Sequence, residues 1–104
     1  MKKKIVNYLK KKLMCWVLDN AFSIHTVTAS LLHDKYLYVG NDDFCIRVWN
    51  TFSSNLHRVL RGHTSSITGF AYAEKYKVLF SVGIDGNLLL WRNFNLIYKY
   101  LCIK

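Results

Sequence analysis

The second half of the chain contains three side chains, between residues 63 and 85, of types that could take part in hydrolysis. They are His63, Ser81 and Asp85. Serine, histidine and aspartate can form a nucleophilic triad when the serine hydroxyl is exposed in a substrate cleft beside an oxyanion hole. Ser81 instead lies within a predicted strand, and no Gly-x-Ser-x-Gly elbow surrounds it. We therefore predict that the chain is not an enzyme.

The sequence gives no sign of a metal site or a cofactor. The three cysteines have no CxxC spacing, and their odd number argues against a disulfide framework and favours a reducing compartment. The other histidines have no metal-ligand spacing among themselves or with the cysteines. These residues are Cys15, Cys45, Cys102, His25, His33 and His57. We expect neither a metal ion nor a cofactor.

The region around the three candidate residues is one copy of a pattern that occurs twice. Gly62-His63 opens this copy, Asp85 follows His63 after 22 residues, and Trp91 closes it. A shift of 42 residues aligns Trp49 with Trp91 and Asp43 with Asp85. A period of about 40–45 residues is typical of the blades of a β-propeller, each of which has four short strands.

Alternating apolar residues and polar turns place four strands in each copy. The first four are predicted over residues 25–32, 36–39, 44–50 and 55–60, with a tight turn at 40–43. The next four are predicted over residues 66–72, 76–81, 86–92 and 96–102. The second copy is two residues longer between its first strand and its aspartate, and we expect the first hairpin turn to contain this difference.

The order of Gly-His, Asp and Trp resembles the tryptophan–aspartate (WD) repeat of β-propeller proteins. The resemblance covers residues 13–104 and implies an all-β fold of antiparallel four-stranded blades. Blade 1 would cover about residues 24–60 and blade 2 about 64–102, after one leading strand near residues 12–18. Propellers typically close with 4–8 blades, so the resemblance implies an open, partial propeller that needs further blades in cis or in trans.

The resemblance also implies a buried hydrogen-bond network of His63, Ser81, Asp85 and Trp91. Independent chemistry supports such a network, because Asp85 in a tight turn can accept from the imidazole and Ser81 can pair with the other ring nitrogen. Blade 1 keeps Asp43 and Trp49 but has Val39 and Ala21 at the other two positions. Partners are expected on the face that bears the Gly-His loops and tight turns, which holds Asp42, Ile84, Thr64, Ser65 and Ser66.

The N-terminal twelve residues form a separate basic arm. This arm holds six of the fifteen basic side chains and no acidic one, namely Lys2, Lys3, Lys4, Lys10, Lys11 and Lys12. A lysine-rich arm is compatible with a solvated tail, with nuclear import, or with contact to nucleic acid or anionic lipid. The apolar runs in this region are too short for a secretory signal or a membrane span, so the sequence indicates an intracellular protein, cytoplasmic or nuclear.

Three hypotheses for function follow. The first is a non-enzymatic scaffold that binds other proteins within a multiprotein complex. The second is binding of RNA or another nucleic acid by a nuclear factor that uses the basic arm. The third is a truncated gene product without independent function, because repeat folds usually need at least about three repeats for stability.

Overall fold

The computed structural model describes residues 26–101, which form two four-stranded antiparallel sheets. The first sheet contains β1 (Val27–His33), β2 (Tyr36–Asn41), β3 (Ile46–Asn50) and β4 (Asn55–Leu60). The second contains β5 (Ile67–Ala73), β6 (Val78–Gly83), β7 (Asn87–Arg92) and β8 (Asn95–Leu101). Each strand pairs with the next one along the chain. This meander is the plan of a propeller blade, so the predicted fold class is confirmed.

The two sheets, blade 1 and blade 2, stack face to face through aliphatic and aromatic side chains. Because side chains alternate across a strand, each sheet presents one row to its neighbour. Blade 1 contributes Tyr38, Ile46, Val48 and Leu60, and blade 2 contributes Ile67, Leu79, Leu89 and Trp91. All eight side chains are buried in one cluster. Burial of this apolar surface is the main favourable term that holds the two blades together.

The hairpin turns explain the difference in length between the blades. β1 and β2 are joined by two residues, whereas four residues, Glu74 to Lys77, join β5 and β6. Backbone bonds from Tyr76 N to Ala73 O and from Lys77 N to Glu74 O close the longer turn. The two additional residues thus lie in the first hairpin turn of blade 2, where the spacing had placed them.

Some predicted strand limits were wrong at these and other turns. Tyr76 and Lys77 belong to the turn. Lys77 has a φ of 56°, so the extended backbone of β6 begins only at Val78. Gly40 and Asn41 lie in β2 rather than in a tight turn, and Val82 and Gly83 likewise lie in β6. Cross-strand pairs such as Gly40 with Ile46 keep these residues extended. The tight turns therefore begin two residues later than predicted, at residues 42–44 instead of 40–43 and at residues 84–86 instead of 82–85.

Because successive strands are antiparallel, the connections of both blades fall into two groups, one at each end of the strands. We call the edge with residues 61–66 and the turns at 42–44 and 84–86 the loop edge. The opposite edge carries the hairpin turns at residues 34–35, 51–54, 74–77 and 93–94, and we call it the hairpin edge. Among residues 26–101, no helix has the length and apolar character needed to cross a membrane.

Several predictions fall outside the described residues. They concern the basic arm with its six lysines, the leading strand, Ala21, His25, Cys15 and Cys102.

Candidate functional site

A buried polar cluster lies in blade 2 on the face that packs against blade 1. Ser81 in β6 is fully buried, and its hydroxyl oxygen accepts a hydrogen bond from the indole Nε1 of Trp91 in β7 at 2.9 Å. The same oxygen lies 2.7 Å from Nε2 of His63, which precedes β5. The three side chains thus connect the loop to two strands. Loss of one member would leave buried groups unpaired, at about 1–3 kcal/mol each.

Asp85 is not hydrogen-bonded to His63, in contrast to the predicted network. The imidazole Nδ1 is buried and has no hydrogen-bond partner. The Asp85 carboxylate instead accepts from the backbone N–H of Asn87 at 3.1 Å, from Asn87 Nδ2 at 2.8 Å and from Thr64 Oγ1 at 3.3 Å. These donors hold Asp85 in its own turn at the surface. The hydrogen bond to the Asn87 backbone is the main cause that lowers the pKa of Asp85.

Burial controls the protonation of His63. Only 7% of the residue is exposed, and loss of solvation lowers the pKa of His63 below its ordinary value of 6.5. Asp85 opposes this shift and Lys99 adds to it, but both contributions are smaller than that of burial. The neutral imidazole is therefore the form that suits this position. A neutral ring can accept at one nitrogen and donate at the other.

The cluster is not arranged as a nucleophilic triad. The Ser81 hydroxyl is inaccessible to a substrate and is already in contact with His63 and Trp91. His63 does not donate from Nδ1 to Asp85, which is the orienting hydrogen bond that a triad requires. This geometry can fix the loop on the sheet, and it provides no exposed nucleophile.

Two glycines allow the loop to approach the sheet, which the motif analysis did not explain. A Cβ atom on Gly62 would lie 2.9 Å from Leu89 Cδ2 and 3.2 Å from the Trp91 ring. A Cβ atom on Gly83 would lie 2.7 Å from Ser65 Oγ and 2.9 Å from Asp85 Oδ1. Close packing on Leu89 and Trp91 therefore favours glycine at position 62, which is consistent with the pairing of Gly with His in the motif.

The main polar side-chain interaction of blade 1 is an ion pair at its tight turn, in contrast to the neutral cluster of blade 2. Arg47 donates from Nη1 and Nη2 to the two carboxylate oxygens of Asp43 at 3.1 and 2.8 Å, and also to Asn41 Oδ1 at 2.8 Å. The hydrogen bond to Asp43 is the main cause that raises the pKa of Arg47. Sequence analysis missed Arg47, although a basic residue four positions after a turn aspartate could have indicated the pair.

Trp49, the second landmark of blade 1, packs with Leu37 and Val39 on the face opposite to blade 2. Val39 replaces the serine hydroxyl and is fully buried among these apolar side chains. Arg61 adds a polar contact nearby, from Nη1 to Cys45 Sγ at 3.1 Å. Burial is the main cause that raises the pKa of the Cys45 thiol. Within residues 26–101, no cluster of histidine, cysteine and acidic residues is suited to hold a metal ion.

The residues of the expected partner-binding face lie along the loop edge. Ile84 is 73% exposed, and its backbone N–H donates to Ser66 O at 2.8 Å. Asp85 N also donates to Ser65 Oγ at 3.4 Å. In blade 1, Asp42 N donates to Thr26 O at 2.9 Å, which is the same backbone contact one period earlier. Asp42 and Ile84 therefore occupy equivalent positions in the two blades.

Comparison with known proteins agrees with this architecture. Residues 54–92 match the family model of the WD40 repeat, "WD domain, G-beta repeat". The chain is 34% identical over 67 residues to cilia- and flagella-associated protein 337 B of Tetrahymena thermophila. It is 30% identical over 67 residues to a probable coatomer subunit beta' of Schizosaccharomyces pombe. Each alignment covers 62% of this chain but only 5% and 8% of the respective relative.

A solved structure shows the same fold. The β-propeller domain of Cps50 (Swd1) from Myceliophteria thermophila superposes with a TM-score of 0.68 at 20% identity. The superposition covers 73% of this chain and 25% of that domain's chain. At this level of identity the likeness concerns the fold alone. The repeated landmarks, the two stacked meanders and the match over residues 54–92 agree: the chain resembles WD-repeat proteins and contains two β-propeller blades.

Proposed function

We propose that this chain is a non-catalytic interaction module that binds other proteins through its loop edge and contributes to a multiprotein assembly. The observation that carries the proposal is the exposed Ile84 side chain, held on a turn whose backbone is bonded to the neighbouring loop. An apolar side chain in a fixed position surrounded by polar groups is typical of the anchor of a protein interface.

The surroundings of Ile84 support this role. Thr64, Ser65 and Ser66 each bond to the 84–85 turn, so three loop residues and the turn form one polar frame. Asp42 presents a carboxylate at the equivalent position of blade 1. A partner that contacts both blades would meet an apolar anchor and an acidic side chain. The name of the coatomer relative describes it as a subunit, which is consistent with a role in assemblies.

The outer face of blade 2 supports the presence of further blades beside this one. Its residues Phe80, Leu88 and Leu90 are only partly buried, and Tyr98 and Tyr100 are exposed. Phe80, Leu88 and Leu90 correspond, one period later, to Tyr38, Ile46 and Val48, which blade 2 itself buries. This equivalence favours a blade, in cis or in trans, as the group that covers the face.

The test is quantitative capture of partners from the native cell. We expect Ile84→Asp combined with Asp42→Lys to reduce the captured partners by about 30-fold or more, as for the loss of an interface hot spot. Phe52→Asp is the matched control, because Phe52 is 85% exposed on the hairpin edge. Equal capture by the wild type and both variants would contradict the proposal.

The second candidate function, nucleic-acid binding by a nuclear protein, is favoured by the six lysines of the basic arm. Affinity through this arm would fall steeply with salt, because each neutralised phosphate releases counterions. It would also disappear when residues 1–12 are deleted. The location of the protein in nucleus or cytoplasm would change with the same deletion if the arm acts as an import signal.

A further inference from the structure

A cavity of about 290 Å³ opens between the two blades near the hairpin edge. Blade 1 contributes Tyr36 and Tyr38 to its wall, and blade 2 contributes Tyr72, Trp91 and Phe94. The volume is at the lower limit of ligand pockets, so the cavity suits one ring-sized group rather than an extended cofactor. Tyr38 and Trp91 are almost fully buried and Tyr72 is stacked on His33, so the partly exposed rings of Tyr36 and Phe94 provide the flat surfaces on which a planar ring can stack.

One turn of the cavity wall has an unusual backbone conformation. Asn93 and Phe94 form the two-residue turn between β7 and β8, with φ values of 50° and 65°. Positive φ is costly for a bulky residue such as phenylalanine, and such residues often lie at functional sites. Ring contacts fix Phe94 in this position: Tyr36 and His57 meet it edge to face at 5.3 and 4.9 Å between centroids.

Polar groups also line the cavity. Asp34 and Asn93 are part of its wall, together with His33 and Lys77. Lys77 Nζ pairs with Glu74 Oε1 at 2.7 Å, and the other oxygen of Glu74 contacts His33 Nε2 at 2.5 Å. His33 in turn stacks on Tyr72 at 3.6 Å between ring centroids. The Asp34 carboxylate is not part of this set of contacts.

The surface around the cavity is basic. Five basic side chains lie on or next to the hairpin edge against two acidic ones: Lys35, Arg58, Lys75, Lys77 and Arg92 against Asp34 and Glu74. Lys35 Nζ lies 5.5 Å from the centroid of the Tyr36 ring, and the Arg58 guanidinium lies 6.0 Å from that of Phe94. These cations stand at the aromatic wall itself. An anionic ligand is therefore favoured over a cationic one.

We propose that this cavity binds a base of single-stranded nucleic acid, with Asp34 accepting a hydrogen bond from the exocyclic amino group of the base. Aromatic stacking surfaces within a basic surround are the features that bind unpaired bases and their phosphates. An apolar side chain would leave Asp34 and Asn93 desolvated without partners. A methylated ammonium group would be repelled by the cations at the rim. This site is formed by residues between His33 and Phe94 and shares no lining residue with the loop edge.

The test uses the nucleotides CMP and UMP, each of which carries one base and one phosphate. They differ along one edge of the ring, where CMP has an exocyclic amino group and an unprotonated N3, and UMP has a carbonyl oxygen and an N3–H. We expect the full chain to bind CMP with a Kd on the order of millimolar, and UMP about tenfold more weakly. Perturbation of the Trp91 indole resonance and of the Phe94 ring resonances in NMR titrations reports occupancy.

Two variants test whether CMP binds at this cavity. Asp34→Asn should abolish the preference for CMP, and asparagine tolerates the φ of 54° at this position, so the fold is retained. Phe94→Ala should weaken CMP binding about tenfold through loss of stacking. The controls are Asp42→Asn at the loop edge and Phe52→Ala on the hairpin edge outside the cavity, and both should bind as the wild type does.

Four results would overturn the proposal. They are no perturbation of Trp91 or Phe94 by either nucleotide, an unchanged preference for CMP in Asp34→Asn, equal CMP binding by Phe94→Ala, and binding of a trimethyllysine peptide in preference to CMP. Deletion of residues 1–12 should leave CMP binding intact, which separates this site from nucleic-acid contact through the basic arm. Partner capture at the loop edge is likewise unaffected by Asp34→Asn, so failure of one proposal does not imply failure of the other.

Discussion

The two blades share one backbone plan but stabilise their tight turns with different chemistry. In blade 2, the neutral cluster of His63, Ser81 and Trp91 is buried against blade 1, and the turn carboxylate of Asp85 is satisfied locally by Asn87. In blade 1, a charged pair of Arg47 and Asp43 spans the turn and remains partly exposed, at 17% and 26% of the side chains. The difference shows that the strand plan does not depend on one polar network.

The location of each group decides which chemistry is possible. Leu89 in blade 2 and Arg47 in blade 1 are equivalent by the 42-residue period. Leu89 is fully buried within the cluster between the blades, where a charge would have no water. Arg47 lies on the face of blade 1 opposite to Tyr38, Ile46 and Val48, where its guanidinium reaches Asp43 and Asn41. A charged group is stable only where solvent or a partner compensates for it.

The largest effect is expected when each of these two equivalent residues is replaced by the residue of the other blade. Leu89→Arg should destabilise the chain by about 3–5 kcal/mol, because it places an uncompensated charge between the blades. The reciprocal change Arg47→Leu should cost less, about 1–3 kcal/mol, since it removes a partly exposed ion pair and the hydrogen bond to the buried Asn41 Oδ1 atom. Urea unfolding of the full chain measures both. Similar losses for the two variants would show that the blades do not differ in the way described.

A smaller effect is expected from the removal of a single hydroxyl in blade 2. Ser81→Ala leaves the Trp91 indole N–H without its acceptor and the His63 Nε2 atom without its partner, at about 1–3 kcal/mol. The matched control is Ser53→Ala, an exposed hydroxyl in the turn before β4, which should change the unfolding free energy by less than about 0.5 kcal/mol. If both variants unfold at the same urea concentration, the cluster does not stabilise blade 2.

The smallest effect is a dependence of stability on pH, which is expected in blade 2 and not in blade 1. Burial lowers the pKa of His63, so the unfolded chain binds this proton more readily than the folded chain. The resulting stability is complete above about pH 6.5, the value for an unfolded histidine, and is lost as the pH falls below it towards the lowered folded pKa. Hydrogen exchange should therefore show earlier loss of protection in β6 and β7 than in β2 and β3, where Arg47 stays charged.

His63→Gln should remove the part of this pH dependence that belongs to blade 2. His57→Gln, which changes an exposed ring on β4, should leave it in place. Equal loss of protection in both blades of the wild type between pH 6.5 and pH 5 would contradict the assignment to His63.

Much of the fold could be predicted from the printed residues because the relevant signals are local. Alternation of apolar residues identified all eight strands, and the bounds of β4 agree with the prediction. The turn limits were less accurate, since the cross-strand pairs that extend β2 and β6 depend on a neighbouring strand. The positive φ of Lys77 that ends the longer hairpin turn is likewise not visible in the residue pattern.

The candidate site was only partly predictable for a related reason. His63, Ser81 and Trp91 lie 10 to 28 residues apart, but the 42-residue repeat and the family resemblance were enough to group them. Whether Asp85 joined them depended on competing donors, and Asn87 and Thr64 hold its carboxylate in its own turn. The cavity between the blades had no sequence signal, because its wall combines residues from six strands and three turns.

The sequence alone determined the eight strands between residues 26 and 101, their order and the period of the repeat, because side-chain alternation and turn-forming residues act over a few positions. The tertiary structure decided which of the polar groups meet, namely Asp85 with Asn87 rather than with His63, and Arg47 with Asp43. These pairings depend on the distance between strands and on how closely Gly62 lets the loop approach Trp91. Packing of one blade on the other sets those distances, and no local pattern contains them.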